Sequence, residues 1–244
     1  MTSDPATPQR CRVMTYNTHA CRGRDRRVSE ERISQVIAEV QPDIVALQEI
    51  DQKRRRSKLV DQAEEVARSL GMTSCFSPSR EWPTGAYGNA ILSRHPITVE
   101  RTGILPRPRG MALVEPRSAQ LATIAVGEHR LQILNTHLGL LAFERLRQVL
   151  ALMGPEWLGH VRHPLVLCGD LNARPMSREI RLLTARFQAA TPPDPTFPAS
   201  YPLVKLDHLF HTRDLAVEHC FVHRTPLARQ ASDHYPLVAD LVLA

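Results

Sequence analysis

Apolar and polar positions along the chain alternate in blocks that predict strands and helices in turn. Short apolar runs predict buried strands at 12–16, 44–47 and 164–168. Helical spacing of apolar residues predicts helices at 29–40, 60–70, 143–153 and 177–185. The other predicted strands lie at 90–92, 97–103, 119–126, 130–136, 206–210, 216–222 and 237–243. Proline, glycine and charged clusters predict loops at 20–28, 50–58, 77–87 and 191–204.

A faint internal repeat divides the pattern. In the first half, a strand ends in 17–19, a helix follows, and a buried strand ends in 48–49. In the second half, a strand ends in 135–137, a helix follows, and a buried strand ends in 170–172. The repeat predicts two sheets packed face to face with helices outside. Because no linker divides the chain, we predict a single domain at 11–244, preceded by a flexible segment at 1–10.

Composition narrows the class of protein. The chain has 244 residues, of which 43% are hydrophobic and 23% charged, as in ordinary globular proteins. No apolar run approaches the roughly 18 residues of a membrane span, and no apolar leader is visible at the start. The five cysteines form no CxxC pair, which favours a reduced compartment. We therefore predict a cytoplasmic monomer without stable membrane insertion.

The positive charge has two explanations. The net charge is +6, and only Lys53, Lys58 and Lys205 contribute lysine, so arginine dominates. Arginine binds phosphate oxygens in pairs, but a GC-rich genome also replaces lysine by arginine without any function. The basicity therefore admits an anionic substrate without identifying nucleic acid.

Several predicted apolar strands are followed directly by polar residues. Asn17, Glu49 and Asp170 each come at or just after the end of an apolar run. The segment 232–234 instead precedes an apolar run, so an antiparallel strand would bring it to the same rim. Carboxylate and amide oxygens without a cysteine set suit a hard cation such as Mg²⁺ or Mn²⁺.

Seven short motifs stand out, at 16–19, 47–49, 88–94, 135–138, 169–172, 206–210 and 232–234. Their order and spacing resemble those of the endonuclease/exonuclease/phosphatase superfamily, whose fold is that of pancreatic deoxyribonuclease. The resemblance implies an α/β (α+β) four-layer sandwich of two mixed sheets. His19 departs from the abasic-site endonucleases, which carry an acidic or amide residue there. The motif at 88–94 is more similar to that of small bacterial members.

The resemblance also implies a metal site. Glu49 would be the main ligand of Mg²⁺ or Mn²⁺, with Asn17 and Asp233 nearby. The metal would hold the phosphate and stabilise the leaving oxygen.

The implied catalytic residues surround the scissile phosphate. Asp170 would orient or deprotonate the attacking water, and Asn172 would bind a phosphate oxygen. His234 would contact the phosphate, oriented by Asp207, and His137 would be a second contact to the phosphate or the leaving group.

Four further residues are predicted to contact substrate: His19, Asn89, Arg54 and Arg55. The arginines belong to the basic run 53–58, which is either a solvated face or a loop that grips an anion beside Glu49. The substrate stays open between a lipid-like phosphoester, a small molecule and nucleic acid, since fold and function are loosely tied.

Three functions fit these observations. The leading one is a metal-dependent phosphoesterase that hydrolyses a phosphodiester or phosphomonoester by in-line attack of water. The second is a DNA endonuclease or exonuclease in repair or degradation. The third is a non-catalytic phosphate-binding protein on the same fold.

Overall fold

Twelve strands form two six-stranded sheets in the computed structural model, which describes residues 9–108, 110, 114–159, 164–190, 192 and 194–243. Sheet 1 has the order β11-β12-β1-β2-β4-β3 and sheet 2 the order β5-β6-β7-β8-β10-β9. The strands of sheet 1 are β1 (Gln9–Asn17), β2 (Ile44–Gln52), β3 (Thr73–Trp82), β4 (Gly85–Ser93), β11 (Leu215–Val222) and β12 (Leu237–Leu243). Those of sheet 2 are β5 (Ile97–Ile104), β6 (Ser118–Val126), β7 (His129–His137), β8 (Leu165–Asp170), β9 (Gln188–Ala189) and β10 (Asp207–His211).

Five helices complete the described fold, and they are α1 (Glu30–Val40), α2 (Gln62–Leu70), α3 (Ala142–Met153), α4 (Arg178–Thr184) and α5 (Pro226–Ala231). The predicted start of the first helix is correct, because the Ser29 side chain accepts a hydrogen bond from the Arg32 backbone N–H. Gly71 ends α2 in the left-handed conformation, as expected for a glycine after a helix.

Three apolar clusters show that the molecule has four layers. Val13 and Ile44 of sheet 1 pack with Ile133 of sheet 2 between the sheets. Their neighbours in sequence, Met14 and Val45, point the other way and pack against α1, α2 and α5. A third cluster joins the outer face of sheet 2 to α3 and α4. The predicted sandwich of two mixed sheets with helices outside is therefore confirmed.

The two repeated units occupy equivalent places in the two sheets. In the first, β1 and β2 pair in parallel through the crossover helix α1. In the second, β7 and β8 pair in parallel through α3. As predicted from the polar segment before it, β12 runs antiparallel to β1. This direction brings the start of β12 to the edge where β1 ends.

Buried polar side chains tie the sheets together below the rim. The Gln48 side-chain amide donates to Oδ1 of Asn135 at 2.8 Å, and Asn135 donates to the carbonyl of Leu47 at 2.9 Å. Asn89 of β4 donates to the carbonyl of Ser118 of β6 at 3.0 Å and is 2% exposed. These contacts place Asn89 between the sheets, and the substrate contact predicted for it stays a prediction.

Several segments differ from their predictions, among them 50–52, which extend β2 into the predicted loop 50–58. Most of 77–87, predicted as a loop, continues the β3–β4 hairpin, in which a bulge between Pro78 and Arg80 interrupts the pairing. Helix α5 was not predicted, although the Thr225 side chain caps it by accepting from the Ala228 N–H. Strand β1 begins at Gln9, inside the segment 1–10 predicted to be flexible, and 1–8 lie outside the described residues.

The described residues also bear on the cysteines and on the membrane. Each of the five cysteines is a free thiol. No helix within the described ranges combines the length and apolar character needed to cross a bilayer.

Candidate active site

Three site residues stand side by side at one end of sheet 2. In the parallel pairing of β7 with β8, His137 lies opposite Asp170. In the antiparallel pairing of β8 with β10, Asp207 also lies opposite Asp170. Strand register therefore brings His137, Asp170 and Asp207 into one row. Each of the three residues is less than 5% exposed.

Sheet 1 contributes Asn17 from the end of β1 and Glu49 from a bulge in β2. The β2–β4 pairing shifts register between Leu47 and Ile50, and Glu49 sits in the left-handed region with φ of 59°. Bulges re-aim side chains, and a non-glycine residue with positive φ is typical of strained functional sites. The bulge directs the Glu49 carboxylate to the rim, where its side chain is 23% exposed.

The side chain of Asn17 joins the two sheets at the site. Its Nδ2 donates to Oε1 of Glu49 at 3.0 Å and to Oδ2 of Asp170 at 2.9 Å. Its Oδ1 accepts from the backbone N–H of His19 at 3.1 Å. In this arrangement the Asn17 amide donates to two carboxylates, and its predicted role as a metal ligand stays a prediction.

His234 and Asp207 form a buried pair. Nδ1 of His234 lies 2.8 Å from Oδ2 of Asp207, and Nε2 of His234 lies 3.6 Å from Oδ2 of Asp170. Burial opposes the charged imidazole, but the charges of Asp207 and Asp170 outweigh burial and raise the pKa of His234 to about 10. His234 is thus an imidazolium at neutral pH, with Nε2–H directed toward Asp170.

Asp170 is at the centre of these contacts. Its Oδ1 accepts from the backbone N–H of Asn172 at 2.9 Å, while its Oδ2 accepts from Asn17. Burial raises the pKa of Asp170 to about 6, against the opposing charge of His234. A carboxylate of raised pKa is a better proton acceptor than an ordinary aspartate and remains largely ionised near pH 7.

His137 is held between Arg117 and Asn172. Nη1 of Arg117 lies 3.1 Å from Nδ1 of His137, and Nδ2 of Asn172 lies 3.1 Å from its Nε2. Burial first, and then the charges of Arg117 and His234, lower the pKa of His137, so its ring is neutral. Since a guanidinium can only donate, we assign Nδ1 as the acceptor and place the proton on Nε2, 3.4 Å from Oδ2 of Asp170. Nδ2 of Asn172, which donates to the carbonyl of Leu138, is then a neighbour of Nε2–H and not its hydrogen-bond partner.

A potential cation site among the described residues is formed by Asp170, Asp207 and His234. Their possible ligand atoms lie within 4.8 Å of one another. The hydrogen bond between His234 and Asp207 already uses one atom of each, and the imidazolium would repel a cation. Glu49, by contrast, is a partly exposed carboxylate. Asp233 is also partly exposed, and its Oδ1 lies 3.9 Å from Nδ1 of His19.

A cavity of about 620 Å³ opens beside Glu49. His19, Arg54 and Arg56 line it, which places two of the predicted substrate contacts and one further arginine of 53–58 on its wall. Arg55 is exposed and does not line it.

The sequence did not point to Arg117 as part of the site. This arginine lies just before β6, is 6% exposed and contacts His137. Arg117 lies in none of the seven motifs. Because the chain is rich in arginine, a single arginine outside the motifs does not indicate a functional residue. Tyr87 and Trp82, on the cavity wall, were likewise hidden by the prediction of a loop at 77–87.

Comparisons with known proteins identify the family of the chain. Over residues 14–234 the chain matches the model of the Endonuclease/Exonuclease/phosphatase family. It is 26% identical over 261 aligned positions to the protein YbhP of Escherichia coli (strain K12), covering 95% of this chain and 96% of that one.

Solved structures share the fold. An endonuclease/exonuclease/phosphatase from Beutenbergia cavernae superposes with a TM-score of 0.79 at 24% identity, covering 97% of this chain and 72% of that chain. The mannosyl-6-phosphatase of Bacteroides thetaiotaomicron gives a TM-score of 0.75 at 17% identity, covering 96% of this chain and 100% of that chain. The chain therefore belongs to the Endonuclease/Exonuclease/phosphatase family, whose members are generally hydrolytic enzymes.

Proposed function

We propose that the protein is a divalent-metal-dependent phosphoesterase that hydrolyses a phosphodiester or phosphomonoester by in-line attack of water. The observation that supports this most directly is the setting of Asp170. It is a buried carboxylate between an amide donor, Asn17 at 2.9 Å, and the imidazolium of His234 at 3.6 Å. A base beside a fixed positive charge is the arrangement that attack on an anionic phosphate requires.

Each residue then has a defined task. Asp170 accepts a proton from water as the water oxygen bonds to phosphorus, and the bond from phosphorus to the leaving oxygen breaks. The leaving oxygen takes its proton from bulk water. His234, held by Asp207, donates to the phosphate oxygens where negative charge develops, and Asn172 binds another of them. Neutral His137 contacts the phosphate or the leaving group through its Nε2–H.

The donor atoms at the rim fit Mg²⁺ or Mn²⁺, because they are oxygens of carboxylates without a thiolate. We assign the ion to Glu49 with Asp233 beside it, and Asn17 orients Glu49 through the 3.0 Å hydrogen bond. When bound, such an ion supplies charge neutralisation at the phosphate and stabilises the leaving oxygen.

Hydrolysis of bis-p-nitrophenyl phosphate and p-nitrophenyl phosphate tests the proposal. We expect p-nitrophenol release from at least one of them that requires Mg²⁺ or Mn²⁺, stops with EDTA and is lost in Asp170→Asn. Phosphate binding without turnover of either compound would instead indicate a non-catalytic phosphate-binding protein. Turnover confined to DNA would indicate the nuclease.

The phosphatase activity in the name of the Bacteroides relative is consistent with this proposal. At 17% identity that structure supports the fold and leaves the substrate of this chain open. The monomeric state, the cytoplasmic location and the single domain at 11–244 stay predictions from the sequence.

A further inference from the structure

The cavity beside Glu49 has the size of a binding site for a small ligand. Its volume of about 620 Å³ is within the usual range of ligand pockets. Its wall carries five arginines, which are Arg22, Arg26, Arg54, Arg56 and Arg80. The proposed reaction at Asp170 uses none of them.

Most of this positive charge is not neutralised by the protein. Of the carboxylates on the wall, Asp51 accepts two hydrogen bonds of 2.7 Å from Arg56, and Glu115 pairs with Arg117 at 3.3 Å. Glu49 accepts a hydrogen bond from the Asn17 amide and forms no salt bridge with an arginine of the wall among the described residues. The other four wall arginines have no carboxylate within salt-bridge distance in the described part of the chain.

Two of these four arginines are held in place by one aromatic ring. The guanidinium carbon of Arg54 lies 3.3 Å from the ring centroid of Trp82, and that of Arg80 lies 4.8 Å from it. Stacking removes much of the freedom of a long side chain, so these guanidinium groups need little further ordering to bind an anion. Burial, followed by the charge of Arg56, lowers the pKa of Arg54, and an anion would relieve that repulsion.

The cavity and the catalytic cluster meet at Glu49. Its carboxylate lines the cavity and also accepts the hydrogen bond of Asn17, which bonds Asp170. A substrate whose scissile phosphate lies at Asp170, Asn172 and His234 would therefore extend past Glu49 into the arginine-lined space. The forked guanidinium groups there match the paired oxygens of a phosphate.

We propose that this cavity binds a second phosphate group of the substrate, so that the enzyme prefers small phosphoesters with two phosphates over those with one. The inference rests on the proposed function, because the first phosphate is the one hydrolysed. The second phosphate comes either from a soluble compound or from a phosphorylated lipid headgroup.

Matched pairs of substrates test the preference. The soluble pair is fructose 1,6-bisphosphate and fructose 6-phosphate. The lipid pair is phosphatidylinositol 4-phosphate and phosphatidylinositol in phosphatidylcholine vesicles, and a single-stranded oligonucleotide is the polymer arm. For each, kcat/KM is measured with Mg²⁺ by release of phosphate or of soluble product. We expect a preference for the doubly phosphorylated member of one pair, and that pair identifies the source.

Variants then locate the preference. In Arg54→Gln/Arg80→Gln, we expect the preference to fall about 10- to 100-fold through KM, the effect of losing charged hydrogen bonds. Arg22→Gln changes an exposed wall arginine that stacks on no ring, so it tests the same cavity without disturbing Trp82. Arg101→Gln is the matched control, because Arg101 of β5 stacks on Trp157 at 5.2 Å and does not line the cavity.

The outcomes separate this inference from the proposed function. Hydrolysis without preference, a preference that survives in both cavity variants, or an oligonucleotide cleaved better than every small ester would overturn the second-phosphate site and leave a phosphoesterase. No turnover of any phosphoester, including bis-p-nitrophenyl phosphate, would overturn the proposed function itself.

Discussion

Asp207 of sheet 2 and His234 from the segment before sheet 1's β12 meet in a hydrogen bond of 2.8 Å between Oδ2 and Nδ1. Asp207 begins β10 of sheet 2, and His234 precedes β12 of sheet 1. The other oxygen of Asp207, Oδ1, is buried and has no hydrogen-bond partner among the described residues. The pair therefore fixes His234 at the seam between the sheets, and its geometry depends on how they pack.

Replacing Asp207 tests this orientation. In Asp207→Asn we expect kcat to fall about 10²- to 10³-fold, the range found when a preorganised donor is lost. Because the carboxylate of Asp207 raises the pKa of His234, the variant should titrate His234 at lower pH by NMR. The control is Asp214→Asn in an exposed turn. An unchanged pKa of His234 in Asp207→Asn would contradict the assignment.

Asp170 is predicted to act in chemistry more than in folding. Asp170→Asn should lower kcat about 10²- to 10⁴-fold, the usual contribution of a general base. Because the amide keeps the size of the side chain and removes a buried charge, the melting temperature should stay near that of the wild type. Loss of activity accompanied by unfolding at the assay temperature would show that the residue is structural.

Metal binding distinguishes the two candidate ion positions. If Glu49 is the principal ligand, Glu49→Gln should lose Mn²⁺ binding in calorimetry, and activity should disappear with it. Asp207→Asn should retain Mn²⁺ binding, because the Asp207 carboxylate already bonds His234 through Oδ2 and is not expected to be a metal ligand. The reverse result would place the ion in the group formed by Asp170, Asp207 and His234.

The stability of the protein should fall in mild acid through His208. Its Nε2–H donates to the carbonyl of Ala173 at 2.8 Å, and burial lowers the pKa of His208 to about 4. Between roughly pH 6.5 and pH 4 the unfolded chain binds a proton that the folded chain does not. The contribution is therefore complete above pH 6.5, and about 3 kcal/mol is lost as the pH falls through this window.

Urea unfolding at a series of pH values measures this effect. His208→Gln, which keeps a donor without an imidazole, should reduce the slope of unfolding free energy against pH between pH 4 and 6.5. Contributions of other groups are common to both proteins and cancel in the difference. Parallel curves would mean that His208 is not the titrating group.

Gly169 permits the close approach of β7 to β8 just before Asp170. Its φ is 145°, and a Cβ atom there would overlap the carbonyl oxygen of Thr136. Gly169→Ala should destabilise the fold by about 3 kcal/mol, at the upper end of overpacking effects. Gly71→Ala is the control, because a Cβ there meets no atom within 4 Å and costs only the left-handed strain of about 1 kcal/mol. Equal melting temperatures for the two variants would contradict the clash.

Most strands and helices that the sequence predicted bury apolar side chains against a neighbouring layer. The apolar runs around Val13, Ile44 and Val166 form the layer between the sheets, and burial enforces their pattern. Strand β3 and the first half of β4 escaped prediction, although 90–92 of β4 was predicted as a strand. Strand β3 is an edge strand, where prolines, serines and charges are tolerated. Helix α5 has six residues and therefore shows too little periodicity to stand out.

The sequence predicted the site residues that stand at strand ends. It did not predict the contacts that depend on a bulge or on packing between distant segments. Register alone aligns His137, Asp170 and Asp207, so motif positions were sufficient to predict that they meet. The bulge that turns Glu49 into the left-handed region has no counterpart in the local sequence. Likewise, the choice of Asn17 as donor and the approach of Arg117 to His137 depend on packing between distant segments.

The pairing of β1 with β12 has a consequence for synthesis. Arg12 of β1 bonds Asp240 of β12, a separation of 228 residues, whereas the strands of sheet 2 lie in one continuous part of the chain. A chain emerging from the ribosome can thus pair the strands of sheet 2 first, but β1 waits with one edge open until β12 arrives. Until then β1 exposes an apolar strand edge, and the nascent protein is vulnerable to aggregation.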